Sequence, residues 1–383
     1  MKIAYVIASL ATQGGTERVV AEKARYLSEK FGYNVYIVCY GQRSDTPNFY
    51  TIGKNVEQIN LGLDIYNHYK YKRPKRLWIK YKLRHQLKEK LSEAIIHTDP
   101  DILIGISHFR ADFVCSIDCR AKIIIESHIP KSSIEHIYKG QNFFEKLYKR
   151  LYDKLYFHTI ENKADKIVTL TEEARKTWNK TSHLTVIPNI SNLSVVRYSN
   201  TKKTRVIAVG RLSHEKGYDR LLDIWKYVST QYPDWHLDIY GDGVLKEEIT
   251  ETINSKRVPN ISLQGSTIDI SKEYANSSIC VVTSYFEGFS LVILEAMKHG
   301  VPCVAFDCPY GPRSIIEDGK NGFLVEDGNI SLFVEKLCSL IESTRLRQQF
   351  STAALERAKF FDTDKIMLQW KSLFEDCNIR GFD

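Results

Sequence analysis

The sequence predicts an α/β protein of two doubly wound parallel-sheet domains, and three features carry that expectation. Short apolar runs rich in Val and Ile recur along the chain, each followed by a segment with helical spacing. Nearly continuous apolar strands are what a parallel sheet covered on both faces requires. The alternation stops near residue 190 in a polar stretch and then restarts. With 383 residues, and about 150 per domain, two units can each bury a core.

In the first half, Lys2–Ser9 reads as a strand, Thr16–Lys30 as a helix and Asn34–Tyr40 as the next strand. Asp101–Ser107 and Lys122–Ser127 follow as strands, then a helix over Phe143–Asn162 and a strand at Lys166–Leu170. A helix at Glu172–Trp178 and a strand at His183–Ile187 complete a domain over residues 1–190. The polar segment from Ile190 to Thr204 reads as a linker. A second domain, residues 200–361, opens with strands at Arg205–Val209 and Trp235–Tyr240 around a helix at Gly217–Tyr232. A helix at Val244–Ser255, strands at Ile261–Gln264 and Ile279–Thr283, a helix at Leu291–His299 and a strand at Pro302–Phe306 come next. Helices at Ser331–Ser343, Arg345–Phe361 and Asp364–Phe374 close the chain.

Composition narrows the function. At 43% hydrophobic and 26% charged, the chain is neither disordered nor fibrous. No apolar run approaches the roughly 18–20 residues that span a bilayer. The first strand is followed at once by Gln13-Gly14-Gly15, unlike a signal peptide, so a cytoplasmic location is expected. Eight scattered cysteines lack a Cys-x2-Cys pair or a matching histidine pair, so free thiols are expected rather than zinc. Residues 1–190 carry 31 Lys and Arg against 20 Asp and Glu, whereas the remainder is slightly acidic, so the first domain is the one suited to an anionic partner.

Four segments carry chemistry. In Ser278–Gly300 a buried strand leads through Glu287-Gly288-Phe289 to Ser290, which can cap a helix from Leu291. Glu295 falls on that almost wholly apolar helix, where a buried carboxylate needs either ligand hydroxyls or a structural partner as donors. In Arg205–Gly217, Arg211 and Lys216 flank a loop entering a helix after a strand, either a phosphate site or surface cations beside a helix-start glycine. Gln13-Gly14-Gly15-Thr16-Glu17 can bring amides close to a phosphate or sugar, but it is not the Gly-x-Gly-x-x-Gly dinucleotide pattern. His128 follows a strand, at the sheet edge where such folds bind ligands. Leu237–Gly243 reads as turn chemistry.

Together these segments resemble the retaining GT-B glycosyltransferases of family 4 (glycosyl transferases group 1). The resemblance rests on Glu287-x7-Glu295 within EGFSLVILEAM, on GRLSHEKG, IYGDG and the GGTE turn, and on HGVPCVAFD and DGKNGFLV, in that family's order over nearly the whole chain. It implies two Rossmann-like domains facing across a cleft, with a C-terminal helix, residues 362–383 with Trp370, crossing back to the first. It further implies a nucleotide sugar as donor, by default a UDP-sugar, transferred without a metal cofactor. Glu295 would bind the ribose and Glu287 the transferred sugar; Arg211 and Lys216 would hold the diphosphate, helped by amides of Phe289, Ser290 and Leu291, with Gly288 also in the donor site. Gly14 and Gly15 would lie against the diphosphate, and His128 would contact sugar or acceptor. The implied catalytic set is His128, Arg211, Lys216 and Glu287. Asp362-Thr363-Asp364 looks like a metal-binding Asp-x-Asp, yet at a helix start it reads as a cap. Ser314 stands where relatives usually have Glu.

Residues 70–90 hold ten Lys or Arg and one Glu, interleaved with Tyr71, Trp78 and Tyr81. Leu77, Trp78, Tyr81, Leu87 and Leu91 keep helical spacing, as do Phe144, Leu147, Tyr148, Leu151, Tyr152 and Leu155 farther on. A basic helix with Trp and Leu suits an anionic membrane surface, and the plain alternative is a packed stripe with solvated lysines. The expectation is an enzyme peripheral on the inner face of the cell membrane. Lys75, Arg76, Trp78, Lys80, Lys82 and Arg84 would meet the membrane or the diphosphate of a lipid-linked saccharide acceptor. Rival readings are a nucleotide-sugar epimerase or phosphorylase of the same fold, or a nucleic-acid-binding protein. No nucleic-acid motif supports the last, and nucleic acid is not expected as a partner.

Overall fold

The computed structural model describes residues 1–64, 71–72, 75–107, 111–129, 143–179 and 182–379, with the side chains of 143–151 and 378–379 outside that description. It forms two compact units, Met1–Ile190 with Asp364–Asp383, and Ser191–Thr363.

The first unit contains a seven-stranded sheet in the order β3-β2-β1-β4-β5-β6-β7, parallel throughout. Its strands are β1 Lys2–Ile7, β2 Asn34–Cys39, β3 Val56–Asn60, β4 Ile102–Ile106, β5 Lys122–Ser127, β6 Lys166–Thr169 and β7 Leu184–Val186. Helices α1 Gly15–Phe31, α2 Lys75–Thr98, α3 Ala111–Val114, α4 Phe143–Lys163 and α5 Glu172–Arg175 connect them. The second sheet is also parallel, ordered β10-β9-β8-β11-β12-β13. It comprises β8 Arg205–Val209, β9 His236–Tyr240, β10 Ile261–Gly265, β11 Ile279–Val282, β12 Cys303–Phe306 and β13 Gly322–Val325. Its helices are α6 Tyr218–Gln231, α7 Lys246–Lys256, α8 Ile270–Ala275, α9 Leu291–Lys298, α10 Pro312–Ile315, α11 Ile330–Glu342 and α12 Thr344–Ala358. The last helix, α13 Thr363–Ile379, returns to the first unit, where Asp364 accepts from the Tyr26 hydroxyl at 2.6 Å.

Two strands escaped the sequence reading, β3 and β13, and each is the outer strand of its sheet. An edge strand packs less of its surface, so Val56-Glu57-Gln58-Ile59-Asn60 carries no apolar run. The short helices α3, α8 and α10 were missed too, being four to six residues long.

Two other expectations change. The polar segment after Ile190 packs onto the second unit: Ser199 donates through Oγ to the Ser277 carbonyl and through its amide to that of His299, and Thr201 is buried. Neither Thr363 nor Asp364 caps α13, because both lie inside it. Thr363 Oγ1 donates to the Ser191 carbonyl, and Asp364 sits in the first turn, where a negative charge suits the helix dipole.

Candidate functional site

The pairing of β8 with β11 brings the connections that follow these strands side by side. After β8 come Gly210, Arg211 and a 3-10 turn at His214–Lys216; after β11 come Thr283–Ser290 and then α9. The two connections are stitched together. Tyr285 donates its amide to the Glu215 carbonyl at 2.9 Å, and Thr283 Oγ1 donates to the Lys216 carbonyl at 3.2 Å. The Thr283 carbonyl in turn accepts from Arg220 Nε and Nη2, at 3.1 and 2.6 Å. That guanidinium stacks 3.9 Å from the Tyr285 ring centroid and 4.3 Å from that of Phe306. Gly217 has φ 64°, and a Cβ there would run into the Thr283 carbonyl. Gly241, φ 145°, presses against the Gly210 carbonyl in the same way, so IYGDG serves close backbone approach as well as turning.

This framework sets Lys216 Nζ 2.7 Å from Glu287 Oε1, the oxygen that also accepts from Ser284 Oγ at 2.7 Å. Gly288 is half-buried, and Phe289 is buried with its ring 5.7 Å from that of Phe361. Ser290 occupies the N-cap position of α9, but its side chain caps nothing. Its hydroxyl is buried with no partner among the described residues, which corrects the capping expectation. The amide of Leu291, in the first turn, belongs to the orphan donors of that helix terminus.

Glu295 is 3% exposed and accepts from the Tyr274 hydroxyl at 3.3 Å and Ser191 Oγ at 3.5 Å. The structural donors that a buried carboxylate needs are therefore present in the chain. Arg211 is exposed and pairs with Glu215 at 3.0 Å rather than joining Lys216 on Glu287. Burial pushes the Glu215 carboxyl up, but bonds from Ser213 and the backbone, with Arg211 and Lys216 nearby, outweigh it and hold it below its usual value. The Ser314 hydroxyl bonds back to the Gly311 carbonyl at 2.6 Å. Sequence reasoning missed Glu215, Arg220 and Ser284. Only Glu215 left a signal, its i,i+4 spacing from Arg211.

Gly14, Gly15 and His128 belong to the first unit. Gly14 is the N-cap of α1, and the carboxylate of Glu17, which accepts from Thr12 Oγ1 at 3.0 Å, folds over it. His128 is buried beside Glu126, with Nε2 3.0 Å from Oε2.

The basic stretch falls on α2 and divides. Leu87 and Leu91 are buried, while Leu77, Trp78 and Tyr81 near its start are 58, 63 and 70% exposed. Lys82 Nζ lies 5.6 Å from the Trp78 ring centroid and Lys75 Nζ 4.7 Å from that of Tyr71. Arg84 differs, pairing with Asp112 at 3.5 Å over the Phe113 ring, so it serves packing. On α4, Phe144, Leu147, Tyr148 and Leu151 lie outside the described side chains, and Leu155 is exposed. No helix among the described residues is long and apolar enough to cross a membrane. All eight cysteines are free.

Comparison with known proteins agrees with this architecture. The family Glycosyl transferases group 1 matches residues 191–357, and Glycosyltransferase Family 4 matches residues 13–194. An uncharacterized glycosyltransferase of Haemophilus influenzae is 30% identical over 97% of this chain and 99% of its own length. The Erwinia amylovora amylovoran biosynthesis glycosyltransferase AmsD is 33% identical over 55% of this chain and 62% of that protein. Among solved structures, a variant of S. aureus TarM in complex with fondaparinux, alpha-GlcNAc-glycerol and UDP superposes with a TM-score of 0.77 at 17% identity, covering 97% of this chain and 99% of that one. The fold is that of the GT-B glycosyltransferases. The chain belongs to the group 1 glycosyltransferase family.

Proposed function

We propose that the chain is a retaining glycosyltransferase that moves a hexose or N-acetylhexosamine from a nucleotide sugar, UDP-linked by first choice, to a lipid-linked or cell-surface polysaccharide acceptor. We place the reaction at the cytoplasmic membrane face, without a metal cofactor. One observation carries the reading: Glu287 is held by Lys216 and Ser284 beside a helix N-terminus whose Ser290 hydroxyl has no partner among the described residues. As the bond from the anomeric carbon to the diphosphate breaks and the acceptor oxygen bonds to that carbon, giving its proton to the departing phosphate oxygen, charge grows on the leaving diphosphate. Lys216 and the amides of Phe289, Ser290 and Leu291 are fixed donors for that charge, so they strengthen as it develops. Arg211 joins them by exchanging Glu215 for phosphate. Glu287 orients the transferred sugar, and Glu295 takes the ribose hydroxyls. Gly14 and Gly15 offer the α1 terminus to the diphosphate, and His128 meets sugar or acceptor. The UDP bound to TarM and the amylovoran pathway of AmsD support the donor and acceptor classes.

A thermal-shift panel of nucleotides and nucleotide sugars, with and without magnesium, tests the donor half. A ligand at 100 times its Kd adds about 2.7 kcal/mol to folding stability, well within detection. A shift with a uridine sugar, indifferent to magnesium and lost in Glu295→Ala, is expected. No shift with any nucleotide would sink the reading.

A further inference from the structure

His128 leaves β5 with its ring turned back onto Glu126, and the oxygen it meets, Oε2, also accepts from Lys23 Nζ on α1. Lys23 Nζ lies 4.3 Å from the ring centroid of Trp370 on α13 and 5.8 Å from that of Tyr5 on β1. Lys23 is 1% exposed and Glu126 0%. A charge pair this deep is expensive, because desolvation offsets most of its attraction and apolar packing does as well or better. Here the cost is higher still. Glu126 Oε1, the Tyr5 hydroxyl and Trp370 Nε1 are buried with no partner among the described residues. Stability gives no reason to keep these charges in the core of the first unit.

His128 supplies a reason. A carboxylate only accepts, so Glu126 draws the ring hydrogen to Nε2 and leaves a lone pair on Nδ1. Lys23 balances the charge of the carboxylate while leaving Oε2 an acceptor for the ring N–H. Burial pushes the Glu126 carboxyl up, but Lys23 and the bond from His128 outweigh it and hold it below its usual value, which keeps it an acceptor at neutral pH. Burial lowers Lys23 from its ordinary value, with Glu126 opposing.

We propose that Lys23 and Glu126 are positioning residues that hold His128 in the Nε2–H tautomer, so that Nδ1 accepts a hydrogen bond from a hydroxyl of the sugar or acceptor. The proposal rests on the reading that His128 meets one of these.

Histidine nitrogen chemical shifts of the full chain, labelled with 15N-histidine and assigned with His128→Gln, test the lock directly. The expected result at pH 7 is a protonated Nε2 and an unprotonated Nδ1. Glu126→Gln should mix the tautomers. Because that variant strands Lys23 in the core, Lys23→Met with Glu126→Gln provides the neutral pair, expected to fold, to mix the tautomers and to lose about tenfold or more in kcat. An Nδ1–H tautomer in the wild-type chain, or an unchanged one in the double variant, overturns the lock. A shifted tautomer together with undiminished turnover of His128→Ala overturns the contact of His128 with substrate while the lock stands.

Discussion

Lys216 and Glu287 lie 71 residues apart in the chain and meet at 2.7 Å, joined through the backbone around Thr283. The pair acts as one unit if Lys216 steadies the carboxylate while it waits to face the diphosphate. Lys216→Ala and Glu287→Ala should each lower kcat by about 10²–10³-fold, and the double variant should lose far less than the product of the two. A double-mutant cycle on kcat, with the donor found by thermal shift, measures this. Simple multiplication of the two losses would show that the residues act independently.

Gly217 answers two demands at once: its φ of 64° and the absence of a Cβ beside the Thr283 carbonyl. Gly217→Ala should destabilise the chain by about 2–4 kcal/mol in urea denaturation, above the cost of backbone strain alone. Asn tolerates that backbone conformation better than Ala but still brings a Cβ. If Gly217→Asn recovers most of the stability, φ matters and the close approach does not; we expect it to recover little.

Much of this was legible in the sequence because buried parallel strands must be apolar throughout, a pattern that marks eleven of the thirteen strands among the described residues. The edge strands β3 and β13 were not, since a short or half-polar strand looks like a loop. At the site, Lys216, Glu287 and Glu295 were visible as charges at loop and helix positions. Their partners were not. Ser284, Tyr274 and Ser191 acquire meaning only once β8 and β11 are adjacent and the segment after Ile190 folds onto α9. Lys23 was hidden for another reason. It lies on a helix, α1, where a lone Lys reads as solvated, and only the sheet beneath reveals Glu126.

The thiols should be unequal. Burial pushes Cys39 and Cys115 up to about 12, so only about one in 10⁴ is thiolate at pH 8. Cys119 and Cys338 are half-buried and less hindered. Iodoacetamide at pH 8, followed by peptide mass spectrometry, should label these two first and leave Cys39 and Cys115 unmodified until the chain unfolds. Early labelling of Cys39 would contradict the packing of β2.

Acid stability should fall in two stages. Burial lowers the His299 pKa, with Lys298 adding to it and the Glu295 carbonyl and Asp269 opposing. The unfolded chain therefore takes up a proton near 6.5 that the folded chain refuses until lower pH. Stability is full above that value and declines as pH falls from it towards the folded pKa. Glu126 and Glu215 are held below their usual value, so their contribution is present above the ordinary carboxylate range and lost as pH falls through their folded values. Urea midpoints taken from pH 8 down to about 2 should show both declines, and His299→Gln should flatten only the first. A wild-type profile flat from pH 7 to 5.5 would refute the role of His299.

The start of α2 gives the membrane reading its sharpest consequence. Leu77, Trp78 and Tyr81 are exposed among Lys75, Arg76, Lys80 and Lys82, whereas Arg84 is tied to Asp112 and Phe113. Each cation near an anionic surface contributes about 1 kcal/mol. Lys75, Arg76, Lys80 and Lys82 changed together to Ser should therefore weaken binding to phosphatidylserine vesicles by roughly 10²–10³-fold, while thermal stability stays near wild type. Trp78→Ala should weaken it without altering its salt dependence, because it removes apolar burial and no charge. Arg84→Ser should do the reverse, lowering stability more than vesicle binding. Vesicle sedimentation over a range of ionic strength reads all three. Unchanged sedimentation of the fourfold variant would leave α2 as a packed helix with solvated lysines and remove the membrane from the proposed function, without touching the donor site on the second unit.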